Sequence, residues 1–197
     1  YKTISINPIL ILPWICVLTL IGYIVGLMVK HEPMISGSGI PQVEGVLLRK
    51  LDMTWWRVII GKFFGGVLSI GSGLSLGREG PSVQLGAAVG QGFSKVFKRI
   101  KIEEKYLMTS GASAGLSAAF NAPLAGAMFA LEEVHKNFSP LILLSALSAA
   151  LSADFVASSF LGLKPIFTIK NLSVLPLKFY FYIIILGVIV GVFRGFI

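Results

Sequence analysis

Residues 3–29, TISINPILILPWICVLTLIGYIVGLMV, run for 27 positions without an Asp, Glu, Lys, Arg or His. About 20 predominantly apolar residues are enough for a helix to cross the hydrocarbon core of a bilayer, so this stretch predicts a spanning helix. A cleaved leader is excluded, because the apolar region is too long and the polar segment after it has no small-residue cleavage site.

The rest of the chain agrees. Of 197 residues, 55% are hydrophobic and 13% charged, and the mean hydropathy is +0.84. A soluble domain carries about 25% charged residues. A second charge-free run, Tyr106 to Leu131, is long enough to span, but its Gly, Ala, Ser and Pro content predicts a helix that packs against protein and is broken. The formal charge of +8 would raise the question of nucleic acid in a soluble protein. Here the basic residues sit in connectors between apolar runs, which implies no nucleic-acid partner. Lys95, Lys98, Arg99, Lys101 and Lys105 form one such connector, interrupted by Glu103 and Glu104, and the positive-inside rule puts it on the cytoplasmic side. The lone cysteine, Cys16, leaves no intramolecular disulfide and no cysteine metal site, and no metal is expected.

Hydrophobic periodicity and stop signals predict an all-α polytopic membrane protein. Helices are expected over about 8–30, 55–71, 80–98, 104–119, 123–134, 139–161 and 176–197, with a short amphipathic segment at 40–50. The last helix meets no stop signal and Tyr1 is not an initiator methionine, so the chain reads as a fragment of something longer. Only 15 uncharged residues separate Lys62 from Arg78, and another 15 separate Glu79 from Lys95, which is short for a span. Half-helices meeting inside the membrane account for that. Irregular backbone at membrane depth persists only where protein or a water-filled cavity satisfies its polar groups, so breaks between short apolar segments point to a binding site.

Two breaks stand out: Ser36-Gly37-Ser38-Gly39-Ile40-Pro41 and Gly77-Arg78-Glu79-Gly80-Pro81. Each sets glycines before a proline at a helix start. Proline suits the first turn, where its missing N–H is not needed, and glycine lets the preceding backbone curl so that free N–H groups converge. Two such termini attract an anion without a full positive charge that would hold it too tightly for conduction. Ser38 adds a hydroxyl donor. Glu79 adds a carboxylate where an anion would sit, which supplies a gate: ionised it fills the site, protonated it swings away. The plain alternatives are helix capping for Ser38, and dipole compensation or pairing with Arg78 for Glu79.

A third break, Ala119-Phe120-Asn121-Ala122-Pro123-Leu124-Ala125-Gly126, interrupts the second apolar run. The helix after it would present Ala122, Gly126 and Ala130 as a surface for close helix contact. It ends in Glu132-Glu133, where one acid could pass protons between cytoplasm and interior; a solvated helix end beside His135 and Lys136 is the plain alternative.

GSGIP at 37–41, GREGP at 77–81 and AFNAPLAG at 119–126 together resemble the signature segments of CLC chloride channels and chloride/proton exchangers, in the same order and at similar spacing. Trp55-Trp56-Arg57-Val58 and Lys62-Phe63-Phe64-Gly65-Gly66 are similar to bacterial members, and the resemblance covers about residues 8–197. It implies an inverted-repeat fold of broken, tilted helices, of which residues 1–197 would hold the first repeat without its first two helices, plus the start of the second. It also implies a homodimer of full-length chains in the inner membrane of a bacterium, with lipid, chloride and protons as partners and no cofactor. By the resemblance Ser38 coordinates the anion, backbone N–H groups from Gly37 to Ile40 line the pathway, and Glu79 is the gating glutamate at the helix start Gly77, Arg78, Gly80, Pro81. Glu133 would be the internal proton glutamate, favouring an exchanger over a passive channel. Serine rather than proline at 38 favours chloride over nitrate. The GxFxP segment and pore-lining tyrosine of the second repeat are absent from this sequence.

One rival comes from another class: Gly111-Ala112-Ser113-Ala114-Gly115 fits GxSxG, the nucleophile turn of serine hydrolases, with His135 as base. That turn needs a strand before the serine, whereas small residues in a membrane helix serve close packing. A passive anion channel and a fluoride-selective relative are the alternatives within transport. A purely structural or receptor-like membrane protein has no use for an acid at a buried helix start.

Overall fold

The computed structural model describes residues 11–162 and 179–195. Eight helices follow one another among the described residues: α1 (Ile11–His31), α2 (Ile40–Leu47), α3 (Trp55–Gly71), α4 (Glu79–Val96), α5 (Lys101–Phe120), α6 (Pro123–Phe129), α7 (Pro140–Leu161) and α8 (Tyr180–Gly195). A 3-10 turn, Pro33–Ile35, and a π-helical turn, Ala130–His135, complete the set. Residues 8–10, 176–178 and 196–197 of the expected helices lie outside the described residues. The chain divides into two units, residues 1–165 and 166–197.

Where the boundaries differ from expectation, local chemistry explains it. The segment expected at 40–50 ends at Leu47, because Arg49 adopts a left-handed φ of 58° and the N–H groups of Lys50 and Leu51 turn back to Gly45 O. The helix expected from 104 begins at Lys101, which puts Glu103 and Glu104 in its first turn, where the macrodipole favours acids. Asn121 stops α5 in the left-handed conformation, φ 54°.

Two helices, over Leu12–His31 and Pro140–Phe160, are long and apolar enough to cross a membrane, with mean hydropathies of 2.2 and 1.8. Between them, α2 and α3 fall short. The 17 residues of α3 extend roughly 26 Å and the 8 of α2 roughly 12 Å, against a hydrocarbon core of about 30 Å.

In the first unit α4 and α5 pack backbone to backbone. A Cβ on Gly86 would lie 2.0 Å from Gly111 O, and one on Gly115 would lie 2.1 Å from Ser82 O, so no side chain fits at this crossing. Against its other neighbour α5 uses hydroxyls: the fully buried Ser113 and Ser117 donate to Ala146 O and Ala150 O of α7 at 3.0 and 2.9 Å. Such bonds and close contacts hold helices together where apolar burial gives no preference for protein over lipid. Val43, Val58, Val83, Met108, Ala112 and Val134 fill the space where α2 to α5 and the π-helical turn meet. As expected from their spacing, Gly126 and Ala130 are buried, and Gly126 lies against Ser113 and Ser117 of α5.

Candidate functional site

The two glycine–proline breaks, some forty residues apart in the chain, meet. A Cβ on Gly80, in the first turn of α4, would lie 2.4 Å from Ser38 O and 2.8 Å from Ser38 Cβ. The start of α4 therefore rests directly on the segment that leads into α2. That segment turns through Gly37 (φ 59°) and Gly39 (φ 96°), both left-handed conformations that favour glycine. Pro41 sits in the first turn of α2 and Pro81 in that of α4. A cavity of about 140 Å³ touches both breaks, lined among others by Gly37, Lys62, Gly77 and Pro81.

Backbone donors of this segment lack acceptors. Among the described residues the N–H groups of Gly37, Ser38 and Gly39 make no hydrogen bond. Ile40 differs from expectation, because its N–H donates to Ser38 Oγ at 3.2 Å. The serine lies one residue before the N-cap, Gly39, so this is a local turn bond rather than capping, and as an acceptor it keeps its own hydroxyl hydrogen to offer elsewhere.

Glu79 opens α4 and is exposed. Its carboxylate folds back over Gly77: a Cβ there would collide with Glu79 Oε2. Glu79 has no hydrogen bond or ion pair among the described residues. Pairing with Arg78 does not occur. That guanidinium lies over the Phe120 ring, 5.6 Å from its centroid, and so joins the second break to the third.

Glu133 is not brought to this junction. It lies in the π-helical turn at the far end of the segment that starts at Pro123, roughly 15 Å along the axis from it. It is exposed, as a solvated helix end would be, but its basic neighbours are engaged elsewhere. Lys136 pairs with Glu44 of α2 at 2.5 Å. His135 Nδ1 is 2.9 Å from Thr109 Oγ1, whose single hydrogen goes to Lys105 O, so Nδ1–H donates and Nε2 keeps its lone pair. At this charged end, outside the spans, burial and secondly the Lys105 charge hold His135 below its ordinary pKa.

Ser113 cannot serve as a hydrolase nucleophile. It lies in the middle of α5 rather than on a strand-to-helix turn, is fully buried, and its hydroxyl is committed to Ala146 O; His135 bonds Thr109 instead.

Sequence reasoning missed the side chains that hold the first break in place. Lys62 of α3 donates to Ile35 O at 3.0 Å and Gly37 O at 2.7 Å; Gln84 of α4 donates to Met34 O at 2.6 Å; Gln42 of α2 donates to Ser36 O at 3.0 Å. The one available signal was Lys62, a lone charge between Arg57 and Arg78 in an otherwise apolar stretch.

Residues 21–196 match the protein family described as "Voltage gated chloride channel". The "H(+)/Cl(-) exchange transporter ClcA" of Salmonella newport and that of Salmonella dublin are each 41% identical to this chain over 177 residues, which covers 88% of the chain and 37% of the transporter. The crystal structure of "a slow cyanobacterial Cl-/H+ antiporter" superposes with a TM-score of 0.84 at 36% identity, over 98% of this chain and 46% of that one. The chain thus spans well under half the length of the curated relatives it matches.

Proposed function

The chain belongs to the voltage-gated chloride channel family, and from that premise we propose that it is the part of a bacterial inner-membrane chloride/proton exchanger that builds one side of the anion pathway and carries the gate. The carrying observation is the contact of Gly80 with Ser38, which brings two helix starts with unpaired N–H donors together beside a carboxylate that has no partner. Partial positive charge at two helix N-termini favours an anion between them.

Glu79 competes with that anion. Ionised, its carboxylate occupies the positive region; protonated, it no longer opposes the anion and moves off, so proton and chloride occupancy are linked. The 41% identical relatives carry the name of H(+)/Cl(-) exchangers, which supports coupling rather than passive flow. Glu133 then passes protons at the far end of the α6 segment, with His135 and Lys136 held away by Thr109 and Glu44. Ser38 supplies the hydroxyl donor. The rest of the site comes from parts of the full-length protein outside this chain, which functions as a homodimer.

The test is chloride efflux with simultaneous external pH recording, on liposomes holding the full-length protein. Efflux should drive protons the opposite way, and Glu79→Ala or Glu133→Ala should abolish proton movement while chloride still flows. Chloride flux without proton movement in the unmodified protein would identify a passive channel, and absence of anion flux would refute the transport reading.

A further inference from the structure

Met34 to Gly37 form the irregular segment just before the junction, and every one of their four carbonyls accepts a hydrogen bond from a side chain. Three helices supply the donors: Gln42 from α2, Lys62 from α3 and Gln84 from α4. None of these carbonyls is used by a backbone N–H among the described residues. Lys62 is 5% exposed, Gln84 fully buried, and neither side chain has an ion-pair partner among the described residues.

A trans peptide unit is planar, with its C=O and the next residue's N–H on opposite sides. Pulling Ser36 O toward Gln42 and Gly37 O toward Lys62 therefore turns the N–H groups of Gly37 and Ser38 the other way. These are two of the three N–H groups that lack an acceptor. Left free, a glycine-rich segment could rotate either peptide and present carbonyl oxygens, which repel an anion, where donors now stand.

We infer that Lys62 and Gln42 are positioning residues for the anion site, clasping the carbonyls of Gly37 and Ser36 so that the N–H groups of Ser38 and Gly37 stay directed at the transported anion. This rests on the anion-transport reading proposed above. Lys62 adds a second contribution, because a buried ammonium bonded only to carbonyls keeps a net positive charge that an anion at the junction compensates. Gln84, bonded to Met34 O, also closes the space beside residue 39, whose φ of 96° already favours glycine: a Cβ there would lie 2.8 Å from Gln84 Cβ.

The test uses the full-length protein with Lys62→Gln, Lys62→Arg and Gln42→Met, reading chloride Kd by titration calorimetry, the chloride-to-nitrate flux ratio in liposomes, and melting temperature with and without chloride. Losing hydrogen bonds from a charged donor predicts a chloride Kd about tenfold or more higher in Lys62→Gln, with a reduced chloride preference. Lys62→Arg, which keeps charge and several donors, should recover to within about threefold of the unmodified protein, and Gln42→Met should move Kd in the same direction as Lys62→Gln. A merely structural role would lower the melting temperature equally with and without chloride and leave Kd and flux ratio unchanged; that result overturns the inference. Should Lys62→Gln not fold, unchanged Kd in Gln42→Met overturns it equally. Loss of flux and chloride binding in the unmodified protein is a separate outcome, which removes the transport reading and this inference with it.

Discussion

Replacing Gly80 with alanine probes the one contact on which the site depends. At the start of a helix alanine is intrinsically preferred to glycine by up to about 1 kcal/mol, so local propensity alone predicts a more stable protein. The structure predicts the reverse. The new Cβ would lie 2.4 Å from Ser38 O and 2.8 Å from Ser38 Cβ, and the nearer neighbour is backbone that cannot rotate away. Ordinary van der Waals contact requires a separation nearer 3.4 Å, so α4 and the Ser38 segment must move apart by about 1 Å. Overpacking of this kind costs about 1–3 kcal/mol. Less the propensity gain, the net loss is about 0–3 kcal/mol, too little to unfold a well-packed membrane protein. Function should suffer more, since displacing a positioned group by about 1 Å can cost up to about a hundredfold in rate. Chloride turnover of the full-length Gly80→Ala protein in liposomes should fall at least about tenfold, with a melting temperature only slightly lowered. Gly71→Ala, at the end of α3 with nothing within 4 Å of its Cβ, is the matched control and should retain turnover. Unaltered chloride turnover in Gly80→Ala would refute the idea that the two helix starts form one site.

Other consequences follow from the packing. Gly86→Leu, whose Cβ would meet Gly111 O at 2.0 Å, should abolish folding or lower the melting temperature sharply, whereas Gly71→Leu at the exposed end of α3 should leave it nearly unchanged. Lys136→Glu places two acids together where an ion pair stood, but the Lys136 side chain is 52% exposed, so the loss should stay near 1 kcal/mol and be restored by adding Glu44→Lys. Ser113→Ala should retain transport, and the unmodified protein should not react with fluorophosphonate hydrolase probes. His135 has a lowered folded pKa, so as pH falls the unfolded chain takes up its proton first. Stability is therefore full above about pH 6.5 and lost as pH drops through the folded value; His135→Gln should flatten that slope in melting curves recorded between about pH 5 and 8.

Much of this arrangement is legible in the amino-acid order because its determinants are local. Proline at 41, 81 and 123 and glycine or asparagine just before each start show where backbone must break, and charge-free runs show which pieces lie in the membrane. The hydrophobic face of a helix, by contrast, says little here about which helix it meets: α4 and α5 touch through Gly86 and Gly111, residues with no side chain to announce a partner. The expectation that Arg78 would neutralise Glu79 likewise rests on adjacency, whereas Arg78 is drawn to Phe120, 42 positions on.

The clasp on residues 34–37 shows the limit most clearly. A broken segment announces that its carbonyls need donors, but not which donors answer. Lys62 and Gln84 reach back over sequence separations of 25 to 50 residues, and their types, one lysine and one glutamine inside apolar helices, fit equally well with a helix–helix hydrogen bond or a lipid-headgroup contact. Only the packing of α3 and α4 against the turn at Pro33–Ile35 selects among these. The same packing makes the free donors at the junction a property of three helices together. A mutation of Lys62 in α3, 25 positions from Gly37 in sequence, should therefore alter anion affinity as strongly as one in the Ser38 segment itself.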